Sequence, residues 1–317
     1  MDSEYEVNTM ARFFKDRSKL KGKAPGSLIL VGEQKMPHPV FQLMQYEAES
    51  MVEKECKTID EAIDSIGGKK VTWINIYGLH DLGMIRKIEE KLNLPDILLE
   101  DILNTGQRPK YVEGKTISTF ILKYLSHDTQ TNEITAEQVS ILLGKNYVLT
   151  LQEKTSNCLE PMRERIRSST AKKRLLYNDY LAFAILDTLA DTYAELIEKT
   201  GVQVENLEDR IFKESSKALV EEIYRLKTEI NFMRKAVRPV KEITSRILNT
   251  DSAMFRDDTI DFIQNLNGLA LQLSETIELY GSMISDQHNI YSTKVGNNLN
   301  EVMKVLTNFA SIFIPLT

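Results

Sequence analysis

Two acidic pairs have the residue types and spacing to do chemistry. In LAFAILDTLA, Leu181 to Ala190, Asp187 sits deep in an otherwise apolar helical run, and Asp191 follows one turn later on the same face. Like charges at that spacing repel, and an ionised carboxylate on an apolar surface is costly unless something compensates it. A hard divalent cation would do so. An arginine on a neighbouring helix, such as Arg174 or Arg225, is the ordinary alternative. The second pair is Glu100 and Asp101 in ILLEDILN, flanked on both sides by Leu and Ile. Consecutive helical residues point about 100° apart, so one carboxylate can face inward while the other faces a partner subunit. Oxygen-only ligands suit magnesium or calcium rather than zinc or copper. The helix macrodipole also favours acids near a helix start, so a purely structural role stays open.

Other chemistry is absent from the motifs. There is no GxSxG, HExxH, GxGxxG or GxxxxGK[ST], and without a catalytic constellation the chain does not read as an enzyme. Gly67 to Lys70, GGKK, lacks the spacing and the Ser or Thr of a phosphate loop. His38, His80, His127 and His288 are scattered without metal-ligand spacing. Cys56 and Cys158 form no CxxC, so neither a disulfide framework nor a thiolate zinc site is indicated, and a reducing compartment fits.

The 317 residues, 42% hydrophobic and 27% charged, suffice for a sizeable core and about two structural units. A net charge of −6 without long single-sign blocks argues against nucleic acid as a partner and favours cations. The charged N-terminus lacks the apolar core of a secretory signal, which places it in the cytosol.

The elements that must position these acids fall into two textures. In the first half, strands are predicted over Ser27 to Val31, Val40 to Tyr46, Val71 to Tyr77, Ile117 to Tyr124, Gln138 to Leu143 and Tyr147 to Leu151. Helices are predicted over Ile59 to Ile66, Leu82 to Leu92 and Pro95 to Leu103, with a hairpin turn at Asp128 to Asn132. From about Lys172 helix formers take over. Arg174 to Lys199 and Val202 to Val237 read as antiparallel helices broken at Gly201, and Pro239 and Asn249 to Asp258 mark the next turn. A third helix carries Leu266, Ala270, Leu273, Ile277, Tyr280, Ile284, Gln287 and Tyr291 in steps of four and three, a coiled-coil-like seam. Continued to Thr317 it would be a rod of roughly 80 Å. The fold class is α+β: an N-terminal α/β domain with a mixed sheet over 1–172, a helical domain with a long stalk helix over 173–299, and a last segment, 300–317.

That last segment ends in Val305 to Thr317, 13 residues without a charge, where a spanning helix needs roughly 20 apolar residues. Asn300, Met303, Thr307, Ala310, Ile314 and Thr317 share one helical face, and Leu299, Val302, Leu306, Phe309 and Phe313 an adjacent stripe. One face could line an axis while the other meets lipid or a neighbour. A buried C-terminal core helix is the other reading.

The runs TWINIYGLHD (Thr72 to Asp81), LLEDILNTGQRPK (Leu98 to Lys110), EQVSILLGKNYVLTLQEK (Glu137 to Lys154), PMRERIR (Pro161 to Arg167) and NEVMKVLT (Asn300 to Thr307) resemble, in order and spacing, those of the CorA family of magnesium transporters. The resemblance covers nearly the whole chain. It implies a homopentamer in the cell (plasma or inner) membrane, with this portion cytoplasmic and each long helix lining a pore. It also implies that Mg2+, with Co2+ or another divalent cation as an alternative, binds between cytosolic domains and favours the closed state. By position, Glu100 and Asp101 match the family's interfacial acidic pair and Asp187 its helical partner. Asn300, Met303, Leu306, Ala310 and Ile314 match the pore face, with Met303 and Leu306 in a hydrophobic constriction.

Two departures accompany the match. The acid expected from the long helix falls on Asn265, and the acid and His expected after it fall on Gly268 and Leu269. An amide carbonyl can ligate a hard cation but adds no charge, so the site should be weak or displaced to Asp261 or Asp257. The chain also ends at Thr317, before the expected Gly-Met-Asn signature and second membrane helix. A zinc-moving relative of the same fold and a soluble coiled-coil scaffold are the competing expectations.

Overall fold

The computed structural model describes residues 15–16, 18–168, 177–213, 216–250, 252 and 254–313. Seven strands form one sheet: β1 (Val40–Tyr46), β2 (Met51–Cys56), β3 (Val71–Tyr77), β4 (Lys110–Val112), β5 (Ser118–Asp128), β6 (Glu133–Leu143) and β7 (Tyr147–Gln152). Their order is β2-β1-β3-β7-β6-β5-β4. Only the central β3–β7 pair is parallel, with Ile74 opposite Leu149, so the sheet is mixed as expected.

Residues that alternate along a strand point to opposite faces. Ile74 and Ile76 of β3 join Leu43, Leu149 and Leu151 under α1 (Ile59–Asp64), α2 (Leu82–Leu92) and α3 (Asp96–Leu103). Trp73 faces the other way with Phe120, Val139 and Ile141, against α4 (Glu160–Arg167) and the long helices. The sheet therefore separates two apolar cores.

The long helices are α5 (Asn178–Lys213), α6 (Lys217–Asn249) and α7 (Asp257–Phe313), of 36, 33 and 57 residues. At about 1.5 Å per residue, α7 is a rod of roughly 85 Å. The seam is buried at Leu266, Ala270, Leu273, Ile277, Ile284 and Gln287, with Tyr280 and Tyr291 half-buried. It packs on α5 and α6 of the same chain. Gln287 Nε2 donates to Val204 O at 2.9 Å, and Lys294 Nζ to Ile211 O at 2.9 Å, near the end of α5. Beyond these contacts, all of residues 297–312 are exposed.

Several expectations need correction. Gly201 does not break a helix, since α5 runs through it and turns back only after Lys213. Pro239 lies buried inside α6 and marks no turn. Ser27 to Val31 forms no strand; Val31 makes a single bridge to Asn104. The polar edge strand β2 and the short β4 were not foreseen. The expected domain boundary near 172, together with Arg174, Ile314 and Thr317, lies outside the described residues. Among the described residues no helix is long and apolar enough to cross a membrane. Glu301 and Lys304 still interrupt α7 close to its apolar end.

Candidate metal-binding site

The helix α3 starts after Pro95, whose extended backbone caps it, and buries Leu98, Leu99, Ile102 and Leu103 in the core under the sheet. That burial leaves Glu100 and Asp101 half-buried at the domain's flank. Glu100 Oε2 accepts from the Gly26 N–H at 2.6 Å. Gly26 has φ +83°, and a Cβ there would crowd Asp96, so the loop reaches the helix only as glycine. Asp101 is tied within its own chain as well. Its Oδ1 accepts from Gln107 Nε2 at 2.5 Å, and its Oδ2 pairs with Lys110 Nζ at 2.6 Å.

Asp187 lies half-buried on α5, and Asp191 is exposed one turn on. Among the described residues neither carboxylate has a hydrogen bond or an ion pair. Burial, with a smaller contribution from the Asp191 charge, raises the Asp187 carboxyl above the ordinary carboxylate range, and Arg165 only partly offsets this. The alternative partner Arg225 instead donates to Gln203 Oε1 at 2.8 Å. A half-buried carboxylate without a directly paired cation is a fitting ligand for a hard cation.

The acids do not converge within one chain. Glu100 and Asp101 belong to the face of the sheet carrying α3, and Asp187 and Asp191 to the face carrying α5. Among the described residues no three His, Cys, Asp or Glu side chains are grouped to hold a metal. Asn265 is exposed on α7, as are Asp257 and Asp261. Any centre using both pairs has to be completed from another molecule.

The sequence reading missed Lys110. Nine positions separate it from Asp101, and the turn through Gln107 brings them together. Beside it opens a cavity of about 330 Å³ between this turn and α6, lined among others by Arg108, Lys110, Tyr111, Glu242 and Arg246.

Residues 68–317 match the profile of the family described as CorA-like Mg2+ transporter protein. The chain belongs to that family. It is 32% identical over 297 residues to the cobalt/magnesium transport protein CorA of Thermotoga maritima, covering 94% of this chain and 84% of that protein. In fold it is similar to the complete structure of the CorA magnesium transporter from Methanocaldococcus jannaschii, with a TM-score of 0.68, 18% identity and coverage of 87% and 83%. It is also similar to the ZntB cytoplasmic domain from Vibrio parahaemolyticus, with a TM-score of 0.62, 12% identity and coverage of 82% and 99%. At these identities the likeness to the solved structures is one of fold. In this CorA-like chain Asn300, Met303, Leu306, Thr307 and Ala310 are all exposed on the last turns of α7. Met303 and Leu306 are 58% and 62% exposed, values that set them apart from the buried seam above.

Proposed function

We propose that the protein is a magnesium channel whose cytosolic domain senses Mg2+ between subunits. The observation that carries this reading is α7, a single helix whose seam is packed against its own domain down to Tyr291 and Lys294 and whose apolar residues Leu299, Val302, Met303, Val305, Leu306 and Ile312 are then exposed. Contiguous exposed apolar surface of this kind requires a partner or lipid. In the proposal five copies of α7 surround a pore lined by Asn300, Met303, Leu306, Thr307, Ala310 and Ile314, with Met303 and Leu306 at the constriction. The assembly sits in the cell membrane with the α/β domain in the cytoplasm.

Glu100 and Asp101 of one subunit face Asp187 and Asp191 of the next, with Asn265 as a neutral ligand. Opposite placement across the sheet supports this division of labour, because one chain alone cannot unite the two pairs. A cation that binds the closed assembly more tightly stabilises it by its differential affinity, and its loss favours opening. Oxygen donors favour Mg2+ over Zn2+ as the regulatory ion. Co2+ is a second candidate cargo, from the name of the Thermotoga relative.

The test is ion uptake into liposomes carrying the full-length protein, with Mg2+, Co2+ and Zn2+ compared in parallel. Mg2+ flux that falls as internal Mg2+ reaches millimolar levels is expected, and Asp101→Asn or Asp187→Asn should blunt that fall. A Zn2+-selective flux, or Mg2+ flux indifferent to internal Mg2+ in the wild type, would sink the reading.

A further inference from the structure

Resting on the reading of Asp101 as a regulatory ligand, we infer that Lys110 is a tethered competitor for that carboxylate. A divalent cation binds Asp101 only by displacing the Lys110 ammonium, which moves into the adjoining cavity. Both Asp101 oxygens are occupied within the chain, Oδ1 by the Gln107 amide at 2.5 Å and Oδ2 by Lys110 Nζ at 2.6 Å. The side chains are 14% and 35% exposed, so the pair is partly shielded from water. A carboxylate oxygen holds Mg2+ at about 2.1 Å. An ammonium on the same oxygen would then lie within a few ångströms of a double positive charge and be repelled. Gln107 is neutral and presents no such conflict, since its amide can turn its carbonyl oxygen toward a cation.

The geometry confines the exchange to side chains. Lys110 opens β4 and its backbone is paired opposite Ile121, while Tyr111 is paired opposite Phe120. Arg246 of α6 further fixes this strand by donating to Tyr111 O at 3.1 Å. The released chain has somewhere to go: Lys110 already lines the cavity of about 330 Å³, and Glu242 stands on its α6 side. Glu242 holds Arg108 through both oxygens at 2.8 and 2.9 Å. Lys110 arriving there shares that carboxylate, which links the state of Asp101 to the grip between the turn and α6. Asp187, without a paired cation among the described residues, carries no comparable brake.

The competitor sets the Mg2+ concentration at which the site fills. The experiment follows Mg2+-dependent protection of the full-length protein against limited proteolysis in detergent, across a Mg2+ titration. Lys110→Met and Lys110→Gln are expected to lower the midpoint by roughly 3–10-fold, the size of a partly shielded ion pair. Lys110→Arg, which retains a cation, should leave the midpoint within about twofold of wild type. In an Asp101→Asn background the Lys110 substitutions should have no further effect, as a double-mutant cycle requires. An unchanged or higher midpoint in both neutral variants, with Asp101→Asn still weakening protection, overturns the competitor and leaves the sensing site standing. Protection indifferent to Asp101→Asn removes the sensing site itself, and the competitor with it.

Discussion

The Tyr280 phenol of α7 lies against Gly201 of α5, so close that a Cβ at position 201 would clash with its hydroxyl and ring edge. The glycine is a notch in a continuous helix. Replacing it with Ala gains about 1 kcal/mol of helix propensity and loses roughly 1–3 kcal/mol by overpacking. Gly201→Ala is therefore expected to be destabilising by about 1 kcal/mol, read by thermal or urea unfolding. Combined with Tyr280→Ala, the same change should become neutral or stabilising. Additive losses in the double variant would show that the notch does not matter.

Asp179 joins the starts of two long helices. It is 2% exposed, and its Oδ2 accepts from the Arg256 N–H at 3.0 Å and the Thr259 hydroxyl at 2.8 Å, capping α7 from α5. Asp179→Ala leaves those donors unmet and should cost about 1–3 kcal/mol. Faster hydrogen exchange confined to residues near 256–260 is the accompanying sign, with Asp179→Asn milder. Unaltered exchange there would remove the capping role.

Asp187 predicts a pH dependence. Burial first, then Asp191, raise its folded pKa. The folded chain thus holds the proton more tightly than the unfolded one. Its ionisation penalises the fold as pH rises from the ordinary carboxylate value through the raised one. Asp187→Asn should raise the melting temperature by about 1–3 °C near neutral pH without divalent cations, a modest gain because the group is only half-buried. The gain should vanish below about pH 4. Equal shifts at both pH values would contradict the buried-charge account.

Lys123 works in the opposite direction. It is 2% exposed, and its ammonium donates to Thr105 O at 2.7 Å and Gln138 Oε1 at 3.3 Å. Burial pulls its pKa down to about 8; Glu153 resists the shift, and Lys15 and Lys35 assist it. With the folded value below the unfolded one, the associated penalty is complete below about pH 8 and disappears toward about pH 10.5. Wild-type stability relative to Lys123→Met should rise by roughly 1–3 kcal/mol across that window. Parallel urea-midpoint curves for the two proteins would rule this out.

The misread helix boundaries share a cause. Gly201 and Pro239 are breakers by local propensity, but Val204, Leu207, Ala236, Val237, Val240 and Ile243 around them are buried. A few such burials, at about 1.5–3 kcal/mol each, outweigh a proline cost of about 3 kcal/mol. Local strings carry no record of that tertiary gain. The seam of α7 was legible because its period is written in apolar residues. The strand β2 was not, because Glu53, Lys54 and Glu55 give it the polar face of an edge strand. At the site, the acids stood out as charges in apolar runs. Their surroundings did not: the Asp101–Lys110 pair depends on a turn, and the separation of the two acidic pairs depends on which face of the sheet each helix covers.

The exposed end of α7 is also a lever arm. Lys294 fastens α7 to the end of α5, and residues 297–312 beyond it are all exposed. Those turns extend about 24 Å, so a tilt of about 5° at the fastening sweeps the far end through about 2 Å. Small changes in how α7 seats on its own domain are thereby delivered, enlarged, to Met303, Leu306 and Ala310.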